Sequence, residues 1–188
     1  MSGREQYAPG AAFGAEVEKK EGEEWTLVLV RDLHHEPEVV WEALTDPEQV
    51  REWAPFDSDR NLGTVGAVKL STVGAPTLPA VESQVRRADA PRLLEFSWGG
   101  RDTRWELEPL EPGGTRLTLW ASIDRGFISM GAAGWHICLD VLDRLLGGQP
   151  IGRIVGKDAM KFGWQRLNTE YAGKFAMETP RLTRTRQR

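Results

Sequence analysis

A single cysteine, Cys138, stands in a chain of 188 residues. No disulfide can therefore form within the chain, no cysteine-only zinc site can be assembled, and stability has to come from a packed core. Long apolar runs are missing as well. The longest, such as Leu27 to Val30 and Ala132 to Trp135, fall far short of the about 18 residues that a membrane helix requires, so no membrane span is expected. The first residues include Arg4, Glu5, Glu16, Glu18, Lys19, Lys20 and Glu21 where a secreted chain would carry an apolar stretch and a small-residue cleavage site, and a cytoplasmic location is expected. Positive charge is not in excess: 24 Lys and Arg against 28 Asp and Glu give a net charge of −4. Nucleic acid, which needs a basic face, is thus not an expected partner. The one basic cluster, Arg181, Arg184, Arg186 and Arg188, reads as a solvated end. Phosphate-cradling glycine motifs are absent, so no nucleotide cofactor is implied. Ser71, Ser83, Ser97 and Ser129 lack the setting of a nucleophile elbow.

What remains is an ordinary globular composition, 40% hydrophobic and 28% charged, in a length suited to one domain with a sizeable core. Residues 1–22 mix Gly, Ala and charge without a sustained period and read as a flexible N-terminal segment. Residues 179–188 read as a flexible basic tail, and 23–178 as a single domain. Trp25 to Arg31, rich in β-branched and aromatic residues, predicts a first strand ending near His34 and His35. Pro37 opens a helix whose apolar face is Val39, Val40, Trp41, Ala43 and Leu44. Asp46 then caps a second short helix with Pro47 at its first position. From Gly63 the pattern turns to alternation in five segments, 67–73, 80–87, 93–98, 103–110 and 115–123, joined by short Gly- and Pro-rich turns. These predict an antiparallel meander. Trp135, Cys138, Leu139, Leu142, Leu145 and Leu146 then recur at helical spacing, and Gly147-Gly148 ends that helix. Its other stripe, with His136, Asp140, Asp143 and Arg144, reads as exposed, Asp140 and Arg144 having the spacing of a surface ion pair. A last helical stretch, about 156–175, carries Phe162, Trp164, Leu167, Tyr171 and Phe175. The fold class is α+β: a curved antiparallel sheet of about six strands, wrapped around a long C-terminal helix, with two short helices after the first strand.

The segment His35-Glu36-Pro37-Glu38-Val39-Val40-Trp41-Glu42-Ala43-Leu44-Thr45-Asp46-Pro47-Glu48, followed by Trp53, resembles the N-terminal signature of the START-like (SRPBCC) superfamily. It is closest to the bacterial branch named after the activator of heat-shock protein 90 ATPase. Gly134-Trp135-His136 ahead of Leu139 and Leu142, and the late Trp164 with Tyr171 and Phe175, extend the resemblance over about residues 25–176. It implies the helix-grip (START-like, Bet v-like) fold with a deep apolar cavity between sheet and C-terminal helix, used for hydrophobic molecules. Some such proteins are cyclases or hydrolases. The family name does not imply an activity here, because chaperone activation belongs to larger proteins with an additional N-terminal domain for which this length leaves no room.

Eight tryptophans suit an aromatic-walled pocket. Trp25, Trp41 and Trp164 are most simply packing. Trp53 and Phe56 fall where the resemblance places the cavity entrance, Trp98 and Trp105 are expected to face inward, and Trp135, Leu139 and Leu142 look into the sheet as pocket wall or closed core. The face of Trp120 is open. The expected ligand-binding set is therefore Trp53, Phe56, Trp98, Trp105, Trp135, Leu139 and Leu142. No metal site is expected: His34 and His35 point to opposite sides of a strand, and His136 and Cys138 face differently on a helix. Cys138 on the apolar stripe reads as a buried, unreactive thiol.

Binding of a small hydrophobic molecule, without a cofactor, is the expected function, by a monomer or homodimer. An enzyme is the alternative: Glu82, Glu95, Glu106 or Asp124 facing an apolar cavity would serve as acid or base, with Arg86, Arg87 or Arg104 holding an anion. Against it, Arg104, Glu106 and Glu108 alternate with Trp105 and Leu107 as a solvated outer face does. A third possibility, a chaperone-associated or regulatory interaction module, needs a large exposed apolar patch that the sequence does not display.

Overall fold

A computed structural model of the chain describes residues 2–22, 24–74 and 79–178. In chain order the elements are α1 (Gly3–Gln6), β1 (Ala15–Lys19), β2 (Trp25–Leu33), α2 (Pro37–Thr45), α3 (Pro47–Trp53), β3 (Phe56–Ser58), β4 (Gly66–Thr72), β5 (Val81–Asp89), β6 (Leu93–Trp98), β7 (Arg101–Leu110), β8 (Gly114–Ile123), α4 (Ile128–Leu146), α5 (Lys157–Met160) and α6 (Trp164–Glu178). All strands join one antiparallel sheet in the order β1-β2-β8-β7-β6-β5-β4-β3. The sheet curls about α4 in the helix-grip arrangement. It has eight strands rather than about six. The two extra ones, β1 and β3, are edge strands of five and three residues, too short for alternation to reveal.

Register explains the core. Leu29 pairs with Leu119, Leu119 with Trp105, and Trp105 with Leu94, giving one inward row across four strands. Because side chains alternate along each strand, the next inward row is Leu27, Ala121, Thr103 and Phe96. Helices α2 and α3 form as the prolines and the Asp46 cap dictate, the Glu48 N–H donating to Asp46 Oδ1 over 3.1 Å. The indole N–H of Trp53 donates to the Ala43 carbonyl (2.9 Å), tying α3 to α2. Helix α4 begins at Ile128, about two turns before the apolar stripe at Trp135. At Gly131 the helix runs close to the end of β8: a Cβ there would stand 2.6 Å from Ile123 Cδ1.

Three expectations need correction. The stripe of α4 opposite the sheet is exposed only at its end, at Asp143: His136 is 1% exposed because α6 and the N-terminal segment cover it. Asp140 accepts the Tyr7 hydroxyl (2.6 Å) and faces His136 Nε2 at 3.4 Å, while Arg144 lies over the Tyr7 ring instead of pairing with Asp140. The expected helix over 156–175 is broken in two at Gly163, whose φ of +83° is left-handed. Finally, the segment expected to be flexible carries α1 and β1 and buries Tyr7 and Ala15. Its anchors come from elsewhere in the chain. Arg4 Nη1 donates to the carbonyls of Ile151, Gly152 and Arg153 (3.0–3.1 Å), Arg166 to those of Pro9 and Gly10, and Arg31 to that of Phe13. The tail from 179 lies outside the described residues.

The Tyr171 hydroxyl is the hub of this second layer, sharing a 2.7 Å hydrogen bond with His136 Nδ1 and donating to the Phe13 carbonyl at 3.2 Å. Tyr171→Phe keeps the ring and leaves the buried His136 Nδ1 without its partner, while the Phe13 carbonyl keeps Arg31. A loss of about 1–3 kcal/mol is expected, read as a lower urea midpoint at unchanged m-value.

Candidate ligand cavity

Side-chain volume along α4 decides where space is left. Leu139 and Leu142 on its sheet-facing side are fully packed, together with Trp53 and Trp105. One turn earlier the same helix offers Gly131, Gly134 and Cys138, at intervals of three and four, and cannot fill the curl of the sheet. The result is a cavity of about 550 Å³. The sheet contributes Trp98, Arg101, Thr103, Ala121, Ser122 and Ile123. Helix α4 contributes Gly131, Gly134, Trp135 and Cys138, and a third wall comes from Ile154, Val155, Gly156, Ala159, Met160 and Trp164. Pro55 and Val73 complete the rim. Gly74 and Gly156, both with positive φ, meet backbone to backbone beside this rim: a Cβ on Gly156 would stand 3.1 Å from Gly74 Cα. Neither position accepts a side chain without movement or strain.

The wall is held rigidly by rings. Phe96 touches Phe56, Phe56 touches Trp98, Trp98 touches Trp135, Trp135 touches Trp105 and Trp105 touches Trp53, with centroids 5.1–6.2 Å apart. Mostly edge-to-face, these contacts fix each indole against the next. Trp98 also donates to Thr72 Oγ1 (3.3 Å).

Of the seven residues expected to bind ligand, the structure places Trp98 and Trp135 on the cavity. Trp53, Phe56, Trp105, Leu139 and Leu142 are buried behind it, supporting those two rings or filling the core. Trp164, expected to be packing, is on the wall. So is the 154–160 segment, whose apolar residues follow no helical or strand period. The small residues on α4 were the available signal. Trp120 faces the outer side of the sheet, where Arg104 lies 5.3 Å from its ring.

No carboxylate lines the cavity among the described residues. Glu95 and Glu106 pair with Arg104 on the outer face, Arg86 pairs with Asp102, Arg87 with Asp89, and Glu82 is exposed. Asp124 pairs with Arg101 at 2.5 Å, outside the lining. The expected acid–base set is thus not gathered in one place. Among the described residues no three His, Cys, Asp or Glu side chains group as a metal ion requires, and no helix is long and apolar enough to cross a membrane.

Burial pushes the Cys138 thiol from its ordinary 9.0 up to about 12, with the Arg153 charge acting against the shift and Asp140 adding to it. Tyr7 is raised by burial and by its bond to Asp140, Tyr171 by burial. In each case the folded state keeps a proton that the unfolded chain releases. Stability from Cys138 is therefore complete below about pH 9 and declines as pH climbs toward about 12, the tyrosines adding the same sign. Cys138→Ala is expected to flatten this alkaline decline. In the wild type a thiol-labelling disulfide reagent at about pH 8 should react orders of magnitude more slowly with the folded than with the urea-unfolded chain.

Residues 34–147 match a family model described as Activator of Hsp90 ATPase homolog 1-like protein. No curated protein sequence matches the chain. Among solved structures, a conserved protein of unknown function from Enterococcus faecalis is similar over 85% of this chain and 89% of its own, with 15% identity and a TM-score of 0.66. CalU16 from Micromonospora echinospora, in its solution structure, is similar over 89% of this chain and 97% of its own, with 22% identity and a TM-score of 0.65. The AHSA1-like protein from Aeromonas hydrophila is similar over 64% and 92%, with 22% identity and a TM-score of 0.51.

Proposed function

Since the chain belongs to the Activator of Hsp90 ATPase homolog 1-like family, whose model spans more than half of it, we propose that it binds a small hydrophobic molecule in the cavity between the sheet, α4 and the 154–164 segment. The observation that carries this reading is the placement of three indoles, Trp98, Trp135 and Trp164, around 550 Å³ of space that the glycines of α4 leave open. A core of this size could have closed with two larger side chains on α4. Rings bound there stack on or meet the edges of the indoles. A ligand burying roughly 300 Å² of apolar surface gains about 7 kcal/mol before ordering costs are subtracted, enough for useful affinity. Apart from Arg101, Thr103 and Ser122 the lining is apolar or glycine, which suits carriage or sequestration. The expected setting is the cytoplasm, as monomer or homodimer.

Native mass spectrometry of the purified protein, compared with the denatured sample, is expected to reveal a non-covalent mass that denaturation releases. With the neutral fluorophore N-phenylnaphthylamine, Trp98→Ala and Trp135→Ala should each weaken binding about tenfold or more. Trp120→Ala, on the outer face, should leave it unchanged. If all three variants bind like the wild type, or the wild type binds neither the probe nor a co-purified molecule, the cavity is not a binding site.

A further inference from the structure

We infer that the ligand is an organic acid, a ring-bearing apolar body whose anionic group is received by Arg101 at the cavity mouth. The inference rests on the cavity being the binding site, and it concerns the sign of the charge at one end of that site. Arg101 is the one charged side chain lining the cavity among the described residues. It opens β7, and Thr103 follows two residues later on the same face, about 7 Å further along the strand. Thr103 is buried, lines the cavity, and its hydroxyl hydrogen-bonds to no described residue. The strand thus presents a guanidinium at the mouth and a free hydroxyl further in, with indoles and aliphatic side chains making up most of the remaining wall. This is a polar-to-apolar gradient suited to an amphiphile.

Its polarity is that of an anion. Among the described residues a cationic ligand would find π faces but no carboxylate on the wall, the Asp124 carboxylate beside the mouth being held by Arg101. A neutral one would leave the guanidinium to Asp124, which holds it at 2.5 Å from the end of β8. That pair is open to water, with Arg101 47% and Asp124 59% exposed, and an ion pair so exposed is weak and exchanges partners readily. Asp124 therefore occupies the guanidinium where the ligand's acid group would pair. A ligand carboxylate anchored by its rings would meet the same forked donors with less water around it, and the planar guanidinium matches a carboxylate better than an ammonium does.

Two probes with the same fused rings separate the charge from the cavity: anilinonaphthalene sulfonate, and N-phenylnaphthylamine, which lacks the sulfonate. Binding is read by energy transfer from tryptophan, and folding by the urea midpoint. Arg101→Gln is expected to weaken the sulfonate probe roughly tenfold and the neutral probe far less, with Arg101→Lys recovering part of the sulfonate binding. Asp124→Asn, which frees the guanidinium, is expected to tighten the sulfonate probe several-fold. Arg86→Gln, on the outer face, is expected to change neither. The inference is overturned if Arg101→Gln affects both probes equally or neither, or if Arg86→Gln weakens the sulfonate probe as much, which would mean surface adsorption. If the wild type binds neither probe, the cavity reading itself falls and the charge assignment with it.

Discussion

A helix covered on two sides has to find partners for the polar groups it buries, and α4 carries His136 and Asp140 on the side away from the sheet. Their partners come from two distant parts of the chain. Tyr171 on α6 reaches His136, Tyr7 of the N-terminal segment reaches Asp140, and Phe13 and Arg31 close around the Tyr171 hydroxyl. Isolated, any of these groups would be costly to bury; joined, they dock α6 and the first fourteen residues onto the helix with fixed geometry. The sheet then curls around a helix that is already positioned from behind.

That positioning is what allows an empty space to persist. A sheet and helix free to approach would collapse onto Gly131 and Gly134, as large-to-small sites elsewhere relax. Here α4 is pinned on its outer side, and the chain of rings from Phe96 to Trp53 props the sheet side. The third wall is pinned as well. Arg4 binds three successive carbonyls just ahead of Ile154, so the residues that close the cavity are held by the segment that docks behind α4.

Much of this fold was legible in the sequence because it obeys periods. β-Branched and aromatic content marks β2, alternation marks the strands from β4 to β8, and the Asp46-Pro47 pair marks the start of α3. The resemblance around Pro37 and Trp41 supplied the helix-grip topology. What was not legible depends on backbone atoms and on volume. Residues 2–14 show no period because Arg31, Arg166 and Tyr171 hold their main chain by its carbonyls, which every residue type possesses. His136 looked solvated because a helix seen alone does not reveal a second covering layer. The cavity was placed one turn too far along α4, at Leu139 and Leu142, because large apolar residues draw attention whereas a pocket lies where side chains are small. Trp98 and Trp135 border both regions, and were found for that reason.

The ring chain also has an optical meaning. Trp98, Trp135, Trp105 and Trp53 touch in sequence, at centroid distances of 5.5–6.2 Å, so half of the chain's eight indoles have transition dipoles close enough to couple. Excitation captured by any of them migrates along the row, which depolarises the emission and lets a molecule resting on Trp98 or Trp135 quench light first absorbed at Trp53. Such coupling also adds aromatic bands to the far-ultraviolet circular dichroism, whose shape then follows the arrangement of four side chains as well as the backbone.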